Sequence, residues 1–145
     1  VFECADSPAD AARVVLEQTN AHPDLKVWII LTPAPLMSAD LLNTIPQGRV
    51  KAVSADCLPQ QLAYVENGFV EVALSVPTYQ LAYKGTQRLL QKVALAQDQH
   101  GIERQDPNRV TKQGLYRWAL QLQRWGYRDI DQKFLMPRAS ESAAR

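Results

Sequence analysis

Four stretches of this chain are apolar and rich in β-branched or aromatic residues. They are Val1 to Ala5, Val27 to Leu31, Val50 to Ala55 and Phe69 to Val76. Each reads as a strand. Val27 to Leu31 is a continuous apolar run, which predicts a strand buried on both faces. Segments of helical period separate the strands. Ser7 suits an N-cap and Pro8 a first helical position, after which Ala9, Ala12, Val15, Leu16 and Thr19 recur on one face. Asn20 to Asp24 ends that helix. Leu36, Leu41, Leu42 and Ile45 predict a short second helix, and Pro46-Gln47-Gly48 a turn.

The third strand ends abruptly at Asp56-Cys57-Leu58-Pro59. Pro59 suits a helix start, Leu62 and Val65 share a face, and Asn67-Gly68 is a C-terminal signal. Pro77-Thr78 opens a longer helix with Tyr79, Ala82, Tyr83, Thr86, Leu89, Leu90 and Val93 at 3.6-residue spacing. The alternation βαβαβαβα predicts an α/β fold: an open, mostly parallel sheet of order 2-1-3-4, in three layers with helices on both faces. After Gln97 the chain turns polar, and 98–109 reads as a connection. Thr111 caps a further helix whose stripe is Leu115, Trp118, Ala119, Leu122 and Trp125, and Gly126 ends it. The expected organisation is therefore a domain over 1–97, with a connection and C-terminal amphipathic helix of the same domain over 98–139. Residues 140–145 read as a flexible tail.

Composition narrows the function classes. The 145 residues suffice for one domain with its own core. The formal charge is +1, and no basic block interleaved with aromatics points to nucleic acid. No apolar run approaches the ~20 residues that span a bilayer, so direct membrane insertion is not expected. The opening residues lack the basic start and long apolar region of a signal peptide; a chain entered inside a strand is what a piece of a longer protein would show.

The chemistry centres on Asp56. In open α/β sheets ligands bind outside the carboxyl ends of the strands, and Asp56 stands at such an end. It can cap the following helix or accept hydrogen bonds from a ligand. Asp6, Thr32, Pro33, Val76 and Tyr79 fall at the same predicted edge. His22 and His100 lie in predicted loops without a second ligand at i+3 or i+4, so no metal site is expected. None of the strand-to-helix turns is glycine-rich, so no phosphate or dinucleotide cofactor is expected. Cys57 near a helix start has no histidine to activate it, and no enzyme activity is expected. If the first and third strands are neighbours, Cys4 and Cys57 lie at one edge and could bridge in an oxidising compartment. Trp118 and Trp125 read first as packing residues and second as a sugar-stacking platform.

Taken in order, five segments resemble the C-terminal lobe of type 1 periplasmic binding proteins, the sugar-binding receptors of ABC importers. Ala5-Asp6-Ser7-Pro8-Ala9-Asp10-Ala11 resembles the strand end and helix start that open this lobe. Ala21-His22-Pro23-Asp24-Leu25-Lys26 resembles its "AHPDI" turn, and Val53-Ser54-Ala55-Asp56 stands where the family has "VGFD". Glu66-Asn67-Gly68-Phe69-Val70 stands where it has "KDGKI", and Pro77 to Gly85 resembles "QPTYEMGYKA". The likeness runs from residue 1 to about 97, and Val110-Thr111-Lys112 resembles a later "VTK" segment. Two positions depart from the family: Thr32-Pro33 replaces Asn-Asp, and Val76 replaces Gln. Two amide side chains are thereby absent, which implies a less polar pocket and either an altered specificity, the favoured reading, a greater reliance on the other lobe, or a lobe that no longer binds sugar tightly.

The resemblance implies a periplasmic solute-binding protein for transport. Its carboxylate at Asp56 would accept hydrogen bonds from a carbohydrate, and the cleft would close against an N-terminal lobe missing from this chain. An ABC permease would be its partner. The alternative is the effector-binding lobe of a LacI-type transcription regulator, which shares the fold. A third reading, an enzyme on a doubly wound sheet, lacks a nucleophile–base pair near Asp56.

Overall fold

The computed structural model describes residues 2–3, 7–45, 48–96, 101 and 104–137. Its elements in chain order are α1 (Pro8–Ala21), β1 (Val27–Ile30), α2 (Ala39–Thr44), β2 (Lys51–Ala55), α3 (Leu62–Asn67), β3 (Val70–Ser75), α4 (Thr78–Leu95), β4 (Asn108–Val110) and α5 (Leu115–Arg124). Short 3-10 turns precede α2, α3 and α5, and a last one spans Gln132–Leu135. The fold is α/β with an open, mostly parallel sheet, as the β–α alternation predicts. The helix starts follow from local chemistry. Ser7 Oγ accepts from the Asp10 N–H at 3.1 Å and Pro8 occupies the first turn. Gly68, in the left-handed region at φ 81°, closes α3.

The strand order corrects one expectation. β1 pairs directly with β2 in parallel, with Ile29 opposite Val53, and β2 pairs with β3. The predicted order 2-1-3-4 placed Val1 to Ala5 between the first two of these. No room for a strand exists there, because consecutive apolar runs joined by a short crossover have paired with each other. Of that segment, Phe2 and Glu3 are not in a strand, and the other residues lie outside the described ones. β4 lies in the region read as a connection. It pairs antiparallel with β3, Leu74 opposite Arg109 and Ser75 opposite Asn108.

One face of the sheet carries the core. Ile30, Ala52, Val70, Ala73 and Val110 are buried with Leu62 and Val65 of α3 and Leu115, Ala119 and Leu122 of α5. Residues from α1 through Phe134 share this single cluster. Trp28 ties β1 to α1, its Nε1 donating to Thr19 Oγ1 at 2.9 Å. The prediction that Val27 to Leu31 is buried on both faces is overturned. Ile29 is 71% exposed and Leu31 80%, while Ile30 is 4% exposed. β1 is an edge strand among the described residues, and alternate side chains point away from the core. The apolar stripe of α4 is exposed too: no described residue of that helix is buried.

Candidate ligand-binding site

Asp56 follows β2 without a break. Its N–H donates to the Leu74 carbonyl at 2.9 Å, extending the parallel ladder by one residue. It then turns sharply, at φ 65°. An L-residue other than Gly is uncommon there, Asp and Asn being among the better tolerated. Strained backbone of this kind clusters at functional sites. The next turn is secured by Gln61, whose Oε1 accepts the Leu58 N–H at 2.6 Å. Capping is thus done by Gln61, and the Asp56 carboxylate has no hydrogen-bond or ion-pair partner among the described residues.

That carboxylate lines a cavity of about 500 Å³ at the carboxyl ends of β2 and β3. Val76 and Tyr79 of the predicted set line it as well, with Ser75 and Thr78 from the same edge. The opposite wall comes from α5 and the turn after it: Leu122, Arg124, Trp125 and Tyr127. The volume falls in the range of small-molecule sites. The mixture of a carboxylate, hydroxyls and ring faces suits a ligand with both hydroxyls and apolar C–H surfaces.

Trp118 positions this wall. It is buried in the core, and its Nε1 donates to the Cys57 carbonyl at 2.8 Å, pinning α5 to the residue after Asp56. Trp125 packs edge-to-face on it, at 5.4 Å and 88°. Of the two tryptophans, therefore, Trp118 packs and Trp125, 37% exposed, faces the cavity. Gly126, at φ 94°, reverses the chain, and the Tyr127 N–H returns to the Leu122 carbonyl at 3.1 Å. This close of the helix brings Tyr127 back to the cavity.

Other predicted residues fall elsewhere. Thr32 and Pro33 follow β1 but do not line the cavity; Thr32 Oγ1 accepts from its own neighbour's N–H, Ala34, at 3.4 Å. Asp6, Cys4 and His100 lie outside the described residues. Cys57 is a free thiol, 1% exposed, and the strand adjacency on which a Cys4–Cys57 bridge rested is not present. Burial, with the adjacent Asp56 charge adding to it, pushes that thiol up to about 12. Such a thiol is protonated at neutral pH and is no nucleophile. Among the described residues no cluster of three His, Cys, Asp or Glu could hold a metal, and no helix is long and apolar enough to cross a membrane. Arg124 and Tyr127 were missed in the sequence; the only signal for them was their place just beyond the Trp118/Trp125 stripe.

No family model matches the chain, and no curated protein does. Among solved structures, the chain is similar to GanP, a glucose-galactose binding protein from Geobacillus stearothermophilus, with a TM-score of 0.60 and 14% identity. The likeness covers 76% of this chain but 40% of GanP. What is shared at this identity is the fold, and that fold is one used by a sugar-binding protein.

Proposed function

We propose that this chain is a solute-binding lobe of the kind used by sugar receptors of ABC importers, holding a carbohydrate at the ends of β2 and β3. The observation that carries the proposal is the unpartnered Asp56 carboxylate in a cavity walled by Tyr79, Trp125 and Tyr127. An ionised carboxylate accepts from two adjacent sugar hydroxyls, and a ring face packs on the C–H face of a pyranose. The fold shared with a glucose-galactose binding protein supports the same ligand class. Closure on a second lobe and delivery to a permease belong to the proposal, since the likeness spans less than half of GanP. Binding of this kind involves no chemistry on the ligand.

The test is a titration of the 145-residue chain with glucose, galactose and pentoses at millimolar concentration, followed by amide NMR and tryptophan fluorescence. Saturable changes confined to Asp56, Trp125, Tyr127 and their neighbours are expected, and Asp56→Ala should remove them. No saturable response to any sugar would sink the proposal.

A further inference from the structure

The cavity beside Asp56 shares Tyr79 and Trp125 with a second one. This second cavity, of about 480 Å³, runs along β4 and α5. Its charge is different. The first cavity sets one carboxylate, Asp56, against one guanidinium, Arg124. The second presents two guanidinium groups, Arg109 on β4 and Arg117 on α5, and no carboxylate lines it. Neither arginine has an ion-pair or hydrogen-bond partner among the described residues. The antiparallel register places Asn108 opposite Ser75, so the two cavities meet at one end of β3.

From this geometry we infer that the two cavities form one extended site. Its ligand is a saccharide of at least two units that carries an anionic group, carboxylate or sulfate, on the unit beside Arg109 and Arg117. The inference rests on the sugar-binding reading above. Each cavity alone has the size of one small-ligand site, and the shared aromatic wall suits consecutive sugar rings. A neutral sugar leaves two guanidinium groups without the oxyanion, carboxylate or sulfate, that such forks bind. Asp56 offsets Arg124 in the first cavity, whereas no carboxylate offsets the two arginines lining the second, so the charges also set the direction in which the chain lies. A hydroxyl-rich neutral unit sits at Asp56 and the anionic unit at the arginines.

The test is calorimetric titration of the whole 145-residue chain at low ionic strength with galactose, lactose, a glucuronate-containing disaccharide and sulfated lactose. At least one anionic disaccharide should bind about tenfold or more tightly than lactose, the effect of one added charge-assisted contact. High salt should shrink that preference. In the double variant Arg109→Gln, Arg117→Gln the preference should fall to none while galactose binding is unchanged. Both side chains are exposed, so an unchanged melting temperature serves as the control for folding. Whichever anionic probe binds more tightly assigns the anion. Equal binding of lactose and both anionic probes, or a preference that survives the double variant, overturns the inference. In either case an Asp56-dependent galactose signal leaves the sugar-binding reading standing. Silence toward all four probes overturns both.

Discussion

β1 and β2 are neighbours, run parallel and lead into proline-containing turns, yet among the described residues the β2 end lines the cavity of about 500 Å³ and the β1 end does not. After β1, Leu31 is open to solvent and Thr32 is occupied with its own neighbour's backbone. After β2, Asp56 turns at positive φ into a cavity, and α5 closes over it through the Trp118 bond to Cys57. Position at the carboxyl end of a strand is thus not sufficient. The β2 end gains its cavity because a second element covers it and supplies the opposing wall. Here that element is α5, which arrives from the far end of the described chain.

The largest test of this difference is Leu122→Ala. Leu122 is buried in the core and also lines the cavity, so truncation should cost about 3 kcal/mol of stability, read as a lower urea midpoint. The same variant should weaken any sugar response, because the wall above Asp56 loosens. A loss well under ~1 kcal/mol would mean that α5 does not dock where the β2 end needs it.

Next in size is a pair of substitutions at the turn itself. Asp56→Gly and Asp56→Ala both remove the acceptor, but only Gly suits φ 65° without a steric cost. The Gly variant should therefore be more stable than the Ala variant by about 1 kcal/mol, while both lose the sugar response. Equal stability would show that the backbone at Asp56 relaxes freely; a retained response would remove the carboxylate from the site.

The smallest effect belongs to the other strand end. Thr32→Val deletes one long hydrogen bond and should cost less than about 1 kcal/mol, with sugar binding unaltered. If binding falls there, the β1 end contributes to the site after all, and the contrast between the two ends fails.

Much of the fold was legible because it is encoded locally. Ser7-Pro8, Pro59, Asn67-Gly68 and Pro77-Thr78 mark helix boundaries through caps and fixed dihedrals, which depend on a few adjacent residues. The apolar runs marked three of the four described strands, and the strand-end logic singled out Asp56, Val76 and Tyr79, which do line one cavity. β4 escaped because three residues, Asn108, Arg109 and Val110, carry no periodic signal. Strand order escaped because no local pattern records which apolar run a strand pairs with; here consecutive runs paired. The run Val27 to Leu31 misled because hydrophobicity reports a capacity for burial, and an edge strand with a bare face leaves half of that capacity unused.

By themselves, the residues of this chain determined an α/β fold, the presence of its helices and a carboxylate at a strand end, since each depends on short-range sterics and hydrogen bonding; two helix starts shifted, α3 to Leu62 and α5 to Leu115, where Thr111 makes no capping bond. Only the tertiary structure decided that β1 lies directly beside β2, that Cys57 is an inert buried thiol, and that Trp125, Tyr127 and Arg124 stand across from Asp56. Those facts depend on contacts between segments separated in the chain, such as the bond from Trp118 to Cys57, and no local pattern records which surface a strand or helix will cover.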